Sequence, residues 1–433
     1  MKKSPNKPNA AARVTGPKGS AHIKQPSCPV AGECGACQLL SVPYEQQLAS
    51  KQASVEELFA ELIDANTAVL PILGMTEPYH YRNKVASPFA PARTRKPTRN
   101  KKARTTQGTK PAIAYGMYKA GTHELIPTAE CLIENQIGQR VVQAVLGIMR
   151  RYNIEPYNED TGQGFLRHVI TRVGHTSGEV LVTLVTNAEQ FTGARNFVRE
   201  LVKRVPEITS VVQNINTRQT NVILGNREQR LYGPGFILDE LCGLSFRISS
   251  HSFYQVNSTQ TEVLYRRAIQ LAQLSGTEHV LDAYCGTGTI GLVAARGLAN
   301  APGAHAAHVT GVDNVKAAIT DALNNATHNG IDNAEFVCAD ATEFIRNWAD
   351  GDERVDVLLM DPPRSGSTPE FMDAAIQLAP QRIVYISCNP VTQVRDLKPL
   401  LTHGYRIHAL QAVDMFPHTN HVECVALMSR TDG

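Results

Sequence analysis

From residue 279 to residue 390 the chain repeats one pattern: a short run of strand-forming residues, a residue of chemical use at its end, then a helix-forming stretch. His279-Val280-Leu281 meets Asp282, and Val309-Thr310-Gly311-Val312 meets Asp313. Ala334 to Ala339 leads to Asp340, Val355 to Met360 leads to Asp361-Pro362-Pro363, and Arg382 to Ser387 leads to Cys388-Asn389-Pro390. Strands that recur with helices between them are expected to lie parallel, because a crossover returns the chain to the same end of the sheet. The expected fold class is therefore α/β, with a doubly wound sheet over 248–433. Open sheets of this kind bind ligands beyond the carboxyl ends of their strands. The residues that end the runs are thus site candidates by position alone.

The first turn, Asp282-Ala283-Tyr284-Cys285-Gly286-Thr287-Gly288-Thr289-Ile290-Gly291, has Gly-x-Gly-x-x-Gly spacing. Glycines let a backbone approach its ligand closely, and a dinucleotide is one ligand such a loop can take. Asp313, ending the second strand, suits both hydroxyls of a ribose, and Asp340, ending the third, suits an adenine amino group. Any one of these acids alone could cap a helix instead. Their recurrence at successive strand ends favours a nucleoside. The fourth strand separates S-adenosylmethionine from NAD: Asp361-Pro362-Pro363-Arg364 resembles the Asp/Asn-Pro-Pro-aromatic element of amino-group methyltransferases, with Arg364 where their aromatic stands. Two prolines fix that turn and direct the Asp361 carboxylate. Cys388 is a lone thiol at the fifth strand end. Most such thiols pack as small hydrophobes, but at the ligand end of a sheet a thiol is a candidate nucleophile.

A second group of thiols lies near the amino terminus. Cys28, Cys34 and Cys37 fall within ten residues, and Cys131 supplies a distant fourth. Four thiolates suit zinc or an iron–sulfur cluster, and the single Cys-x2-Cys knuckle inclines the spacing slightly toward zinc. Cys242 and Cys338 read as core, while Cys285 and Cys424 lie inside motifs without a catalytic part. Nine cysteines, an odd number unevenly spaced, do not form a secreted disulfide framework and point to a reducing cytoplasm. No apolar run is long enough to span a bilayer, and no signal-peptide pattern opens the chain.

Net charge is only +3, but it is unevenly spread. Residues 1–27 carry six Lys or Arg and residues 91–110 carry eight, with no acid in either. The remainder holds 29 basic against 40 acidic residues, so the body is acidic. Both basic stretches are rich in Pro, Thr and Gly, cannot bury a core, and read as mobile. They are either phosphate contacts or a solubilising tail and an inert insertion.

Five stretches carry a family resemblance: Ser252-Phe253-Tyr254-Gln255-Val256-Asn257, the loop from Asp282 to Gly291, Asp361-Pro362-Pro363-Arg364, Ser387-Cys388-Asn389-Pro390, and Asp414 to Glu423. In content and order the chain resembles S-adenosylmethionine-dependent RNA uracil-5-methyltransferases, of the iron–sulfur-containing 23S rRNA branch, over about residues 28–430. The resemblance implies a Rossmann-like methyltransferase domain and S-adenosylmethionine contacts from Gln255, Tyr284, Asp313, Asp361 and, more weakly, Asp340. It implies Cys388 as the nucleophile, Glu423 as the base, and a [4Fe–4S] cluster on Cys28, Cys34, Cys37 and Cys131. The implied partner is RNA, with 23S rRNA ahead of a tRNA T-loop, and a monomer bound to neither membrane nor DNA. Tyr254 stands where the family usually has Phe, Asp313 where it has Glu, and Ser365 where a basic residue follows Pro-Pro-Arg. The expected organisation is a basic tail (1–27), an iron–sulfur lobe opening into a central domain with the basic insertion (28–135), a central α+β RNA-binding domain (136–247), and the methyltransferase domain (248–433).

Overall fold

An eight-stranded and a seven-stranded sheet organise the chain, with a two-stranded hairpin, Phe236–Leu241 and Leu244–Ser249, between them in sequence. The structure, a computed structural model, describes residues 26–92, 112–119, 122, 124–301 and 303–431. Residues 1–25 of the expected tail and 93–110 of the basic insertion lie outside them. No helix among the described residues is long and apolar enough to cross a membrane.

The larger sheet runs, in spatial order, Ala68–Leu73, Tyr405–Val413, Glu423–Arg430, Arg382–Ser387, Val357–Met360, His279–Ala283, His308–Asp313 and Ala334–Cys338. All neighbouring pairs are parallel except those made by Glu423–Arg430, which is antiparallel to both its neighbours. His279–Ala283 pairs with His308–Asp313 on one side and Val357–Met360 on the other. The winding reverses between them, opening a crevice at their carboxyl ends. This is the doubly wound sheet expected from the repeating pattern. Its inner strands are buried on both faces, as parallel strands between helical layers must be. Cys338, expected in the core, is exposed, because its strand is the sheet's edge.

The segment 28–135 does not stay apart as the sequence suggested. Its helix Tyr44–Phe59 buries Gln47, Lys51, Val55 and Phe59, an unbroken i, i+4 stripe. Val55 and Phe59 join the core of the larger sheet with Tyr385, Leu397 and Leu410. Strand Ala68–Leu73 then adds itself in parallel to Tyr405–Val413. An edge left open would present unpaired backbone, and a distant segment of chain closes it.

The smaller sheet takes Leu125–Pro127, Ile113–Tyr118, Lys84–Pro91, Leu166–Val173, Val180–Thr186, Ile208–Ile215 and Arg227–Tyr232, antiparallel except for the pair Val180–Thr186 and Ile208–Ile215. Helix Gln136–Tyr152 covers one face with Val141, Val145 and Ile148. Asn135 caps it, accepting hydrogen bonds from the backbone of Ile137 and Gly138.

Candidate active site

The glycine loop leaves strand His279–Ala283 through Tyr284, whose φ of 65° is an uncommon left-handed conformation for a large residue. Gly286 (φ 55°) and Gly288 (φ 75°) continue it into helix Thr289–Arg296. No atom lies within 4 Å of where a side chain on Gly286 would begin, so the loop faces open space. Asp313 holds the loop in shape: one carboxylate oxygen accepts from Gly286 N (3.1 Å) and the other from Val315 N (2.8 Å). The Tyr284 hydroxyl shares a 2.7 Å hydrogen bond with Ser367. Asp340 is the N-cap of helix Ala341–Ala349, accepting from Thr342 N and Glu343 N at 2.9 and 3.1 Å, and it is exposed. Tyr284 nevertheless feels its charge. Gln255 is half-buried, and its carbonyl accepts from the Asn83 side chain at 2.8 Å. Thr287 donates to the carbonyl of Phe253 at 3.4 Å, which sets the 252–257 stretch beside the glycine loop.

Cys388 follows strand Arg382–Ser387 directly. The chain turns at once into helix Pro390–Thr402, with Pro390 at its first position, where a missing N–H costs nothing. Ser387 Oγ braces the turn by accepting from Asn389 N at 3.1 Å. Glu423 begins the antiparallel strand Glu423–Arg430, and Ser387 lies opposite Cys424. One strand's end thereby meets the other's beginning, which brings Cys388 and Glu423 together.

The electrostatics of the group are coupled. The Glu423 carboxyl is pushed up to about 8, first by burial and then by the nearby Asp361 charge, with Arg364 opposing both. Burial pushes Asp361 up to about 7. The Cys388 thiol is raised by burial, then by Glu423 and Asp361, while a hydrogen bond and the charge of Arg364 pull it down. Arg364 is thus the cation facing the thiol. The sequence placed it inside a motif without giving it a part. Asp282, also passed over, is buried with one carboxylate oxygen unpartnered and is pushed up to about 8, first by burial. Its position at the first strand end was the available signal.

The loop carrying Glu423 is held by the amino-terminal helix. Asp414 accepts from Lys51 Nζ (2.7 Å) and Tyr44 OH (2.8 Å). His418 N donates to Gln47 Oε1 at 2.9 Å, and its ring stacks on Tyr79 with centroids 4.7 Å apart. Asn257 caps helix Ser258–Ala272 and donates to Met415 O at 2.9 Å. None of these partners was legible beforehand, because each lies more than 150 residues from its mate.

The four amino-terminal thiols are all half-buried. The Cys37 thiol is pushed up to about 11 by burial, then by Cys34, with Cys28 adding to it. The Cys131 thiol is pushed up to about 12 by burial, then by Glu134, with Cys37 a smaller contributor. Cys28, Cys34 and Cys131 each lie within electrostatic reach of Cys37, and thiols are donors of the kind an iron–sulfur cluster or zinc takes. As placed, however, no group of three or more His, Cys, Asp or Glu among the described residues could hold a metal ion. The segment touches the active-site loop, since Leu39 N donates to His418 O at 2.9 Å.

The chain is similar to known proteins over most of its length. A family model described as tRNA (Uracil-5-)-methyltransferase matches residues 238–431. An "Uncharacterized RNA methyltransferase" of Bacillus cereus is 38% identical over 414 residues, 95% of this chain and 85% of the relative. One from Listeria monocytogenes is 40% identical over 409 residues, 94% of this chain and 84% of the relative. Among solved structures, Pyrococcus abyssi tRNA (uracil-54, C5)-methyltransferase in complex with S-adenosyl-L-homocysteine superposes with a TM-score of 0.72 at 27% identity, covering 91% of this chain and 86% of that one.

Proposed function

The chain belongs to the family of S-adenosylmethionine-dependent RNA uracil-5-methyltransferases, and from that premise we propose that it methylates C5 of a uridine in 23S rRNA. The observation that carries the mechanism is the coupled group of Cys388, Asp361, Arg364 and Glu423 beside the glycine loop. S-adenosylmethionine, when bound, supplies an electrophilic methyl group. Gln255, Tyr284, Asp313, Asp361 and Asp340 would hold it, in keeping with the open space over Gly286.

C5 of uracil is a weak nucleophile. The Cys388 sulfur adds to C6, and the electron pair of the C5–C6 bond becomes available at C5, where it takes the methyl group. Arg364 favours the thiolate that this step needs. Glu423 then removes the C5 proton, the C5–C6 double bond re-forms, and the Cys388 thiolate leaves. A carboxyl raised to about 8 is well matched to that task, since an effective base titrates near the working pH. The target base must leave its stack to reach so enclosed a group.

The four thiols, Cys28, Cys34, Cys37 and Cys131, would hold a [4Fe–4S] cluster that braces the loop bearing Glu423 through the Leu39–His418 contact. The protein acts as a monomer in the cytoplasm. A tRNA uridine is the second reading, favoured by the likeness to the Pyrococcus abyssi tRNA (uracil-54, C5)-methyltransferase. Mapping 5-methyluridine in 23S rRNA and tRNA of a deletion strain decides between the two.

A further inference from the structure

The smaller sheet carries a cavity of about 820 Å³, lined by none of the residues discussed above. That is the size of a pocket for a nucleotide-sized ligand. Its apolar walls include Ala86, Pro88 and Met117, and the exposed side chains of Val222 and Ile223 also line it.

Its polar lining mixes exposed side chains, Lys119, Thr122, Thr220 and Asn221, with two buried ones, Arg167 and His168. Arg167, only 2% exposed, donates to the carbonyls of Asn216 (2.9 Å) and Arg218 (2.7 Å) and lies over the Tyr157 ring at 4.3 Å. Glu159, 3.4 Å away, meets its charge. A guanidinium so neutralised and already laid over Tyr157 is poor at drawing a phosphate, which leaves contact with a base to His168 and the apolar walls. His168 is 6% exposed, lines the cavity, and has an Nδ1 with no hydrogen-bond partner. Burial pushes this ring down to about 4, so it is neutral at physiological pH and suited to a base edge rather than an anion. A buried polar atom left unpaired is costly unless a ligand satisfies it.

The cavity is also on the right face. His168, Ile170 and Arg172 alternate along strand Leu166–Val173 and share one side of the sheet. On that side Arg172 donates to Ser252 O, and Thr183, paired with Ile170, donates to Ser250 Oγ at 2.9 Å. These contacts grip the stretch that leads to Gln255. His168 lies four residues from Arg172, about 13 Å along the strand.

We propose that this cavity holds a second unstacked nucleobase of the RNA substrate, distinct from the uridine that is methylated. The assignment rests on RNA being the substrate. His168→Leu removes the polar edge at similar volume, and Ile223→Glu places a charge in the lining without touching the buried network. With 23S rRNA transcript and bulk tRNA assayed separately, KM for whichever RNA is methylated should rise about ten-fold in both variants, the loss of one stacked base. kcat and S-adenosylmethionine affinity should stay unchanged. Val222→p-benzoylphenylalanine should cross-link to a nucleotide other than the methylated one. Unchanged KM in both variants, or no cross-link from Val222, overturns the assignment. If the parent protein methylates neither RNA, the substrate reading fails and the cavity assignment falls with it.

Discussion

The Lys51 ammonium lies 2.7 Å from the Asp414 carboxylate, with both side chains buried and the two residues 363 positions apart in the chain. Burial lowers the lysine's pKa, and the charge and hydrogen bond of Asp414 oppose that. It ties the amino-terminal helix to the loop that ends at Glu423. Removing one partner of such a pair strands a buried charge and costs about 3–5 kcal/mol. Asp414→Ala should therefore lose about that much stability in urea titration, while Lys51→Met with Asp414→Leu should recover most of it. A single variant as stable as the parent would contradict the bracing role.

Cys388→Ala should abolish methylation and any covalent protein–RNA adduct, while leaving S-adenosylmethionine binding intact. Tritium release from C5-labelled RNA and denaturing-gel shifts with 5-fluorouridine RNA read the two losses. An active alanine variant would end the nucleophile assignment.

Glu423→Gln should methylate once and then stall, because the C5 proton has no acceptor and Cys388 cannot leave. The expected signature is a methylated, denaturation-stable adduct with no tritium release. In the parent, kcat/KM should rise with pH as Glu423 loses its proton near 8. A profile flat from pH 6 to 9 would contradict the base assignment.

The same carboxyl predicts a stability difference. Its folded pKa lies above its unfolded value, so the folded state binds the proton more tightly, and stability from this group falls as pH rises from about 4.5 toward 8. Glutamine mimics the protonated form. Ligand-free Glu423→Gln should melt close to the parent at pH 4 and above it at pH 8.5, because the parent loses this stability between the two. Equal melting temperatures at both pH values would show that Glu423 is not destabilised when charged.

Deleting residues 92–110 removes eight basic residues and no acid. RNA affinity should drop and the slope of log K against log salt should flatten, since fewer counterions are released. Filter binding between 50 and 200 mM KCl measures both, and an unchanged slope would make the insertion inert.

Local rules made much of the fold legible. Alternating apolar runs and helix-forming stretches specify parallel strands, and the residues ending those runs fall at one end of the sheet whatever else the chain does. Asp313, Asp361 and Cys388 stand at strand ends, as that rule expects. Asp340 shows the limit of the method: its carboxylate caps a helix in the structure, and position alone could not separate that from ligand binding.

What the sequence determined by itself was therefore the inventory: a winding sheet, a glycine loop, an acid-Pro-Pro turn, a terminal thiol. What only the tertiary structure decided was convergence. Glu423 reaches Cys388 because one antiparallel strand is inserted between parallel ones, so its beginning lies beside their ends. Arg364 became the thiol's counter-charge, and Lys51 the anchor of Asp414, through contacts across long stretches of chain. Local propensity acts over a few residues, whereas desolvation and Coulomb coupling depend on which distant groups share a dry space. That is why the sequence could name the candidate groups, and only the folded chain could set their charges.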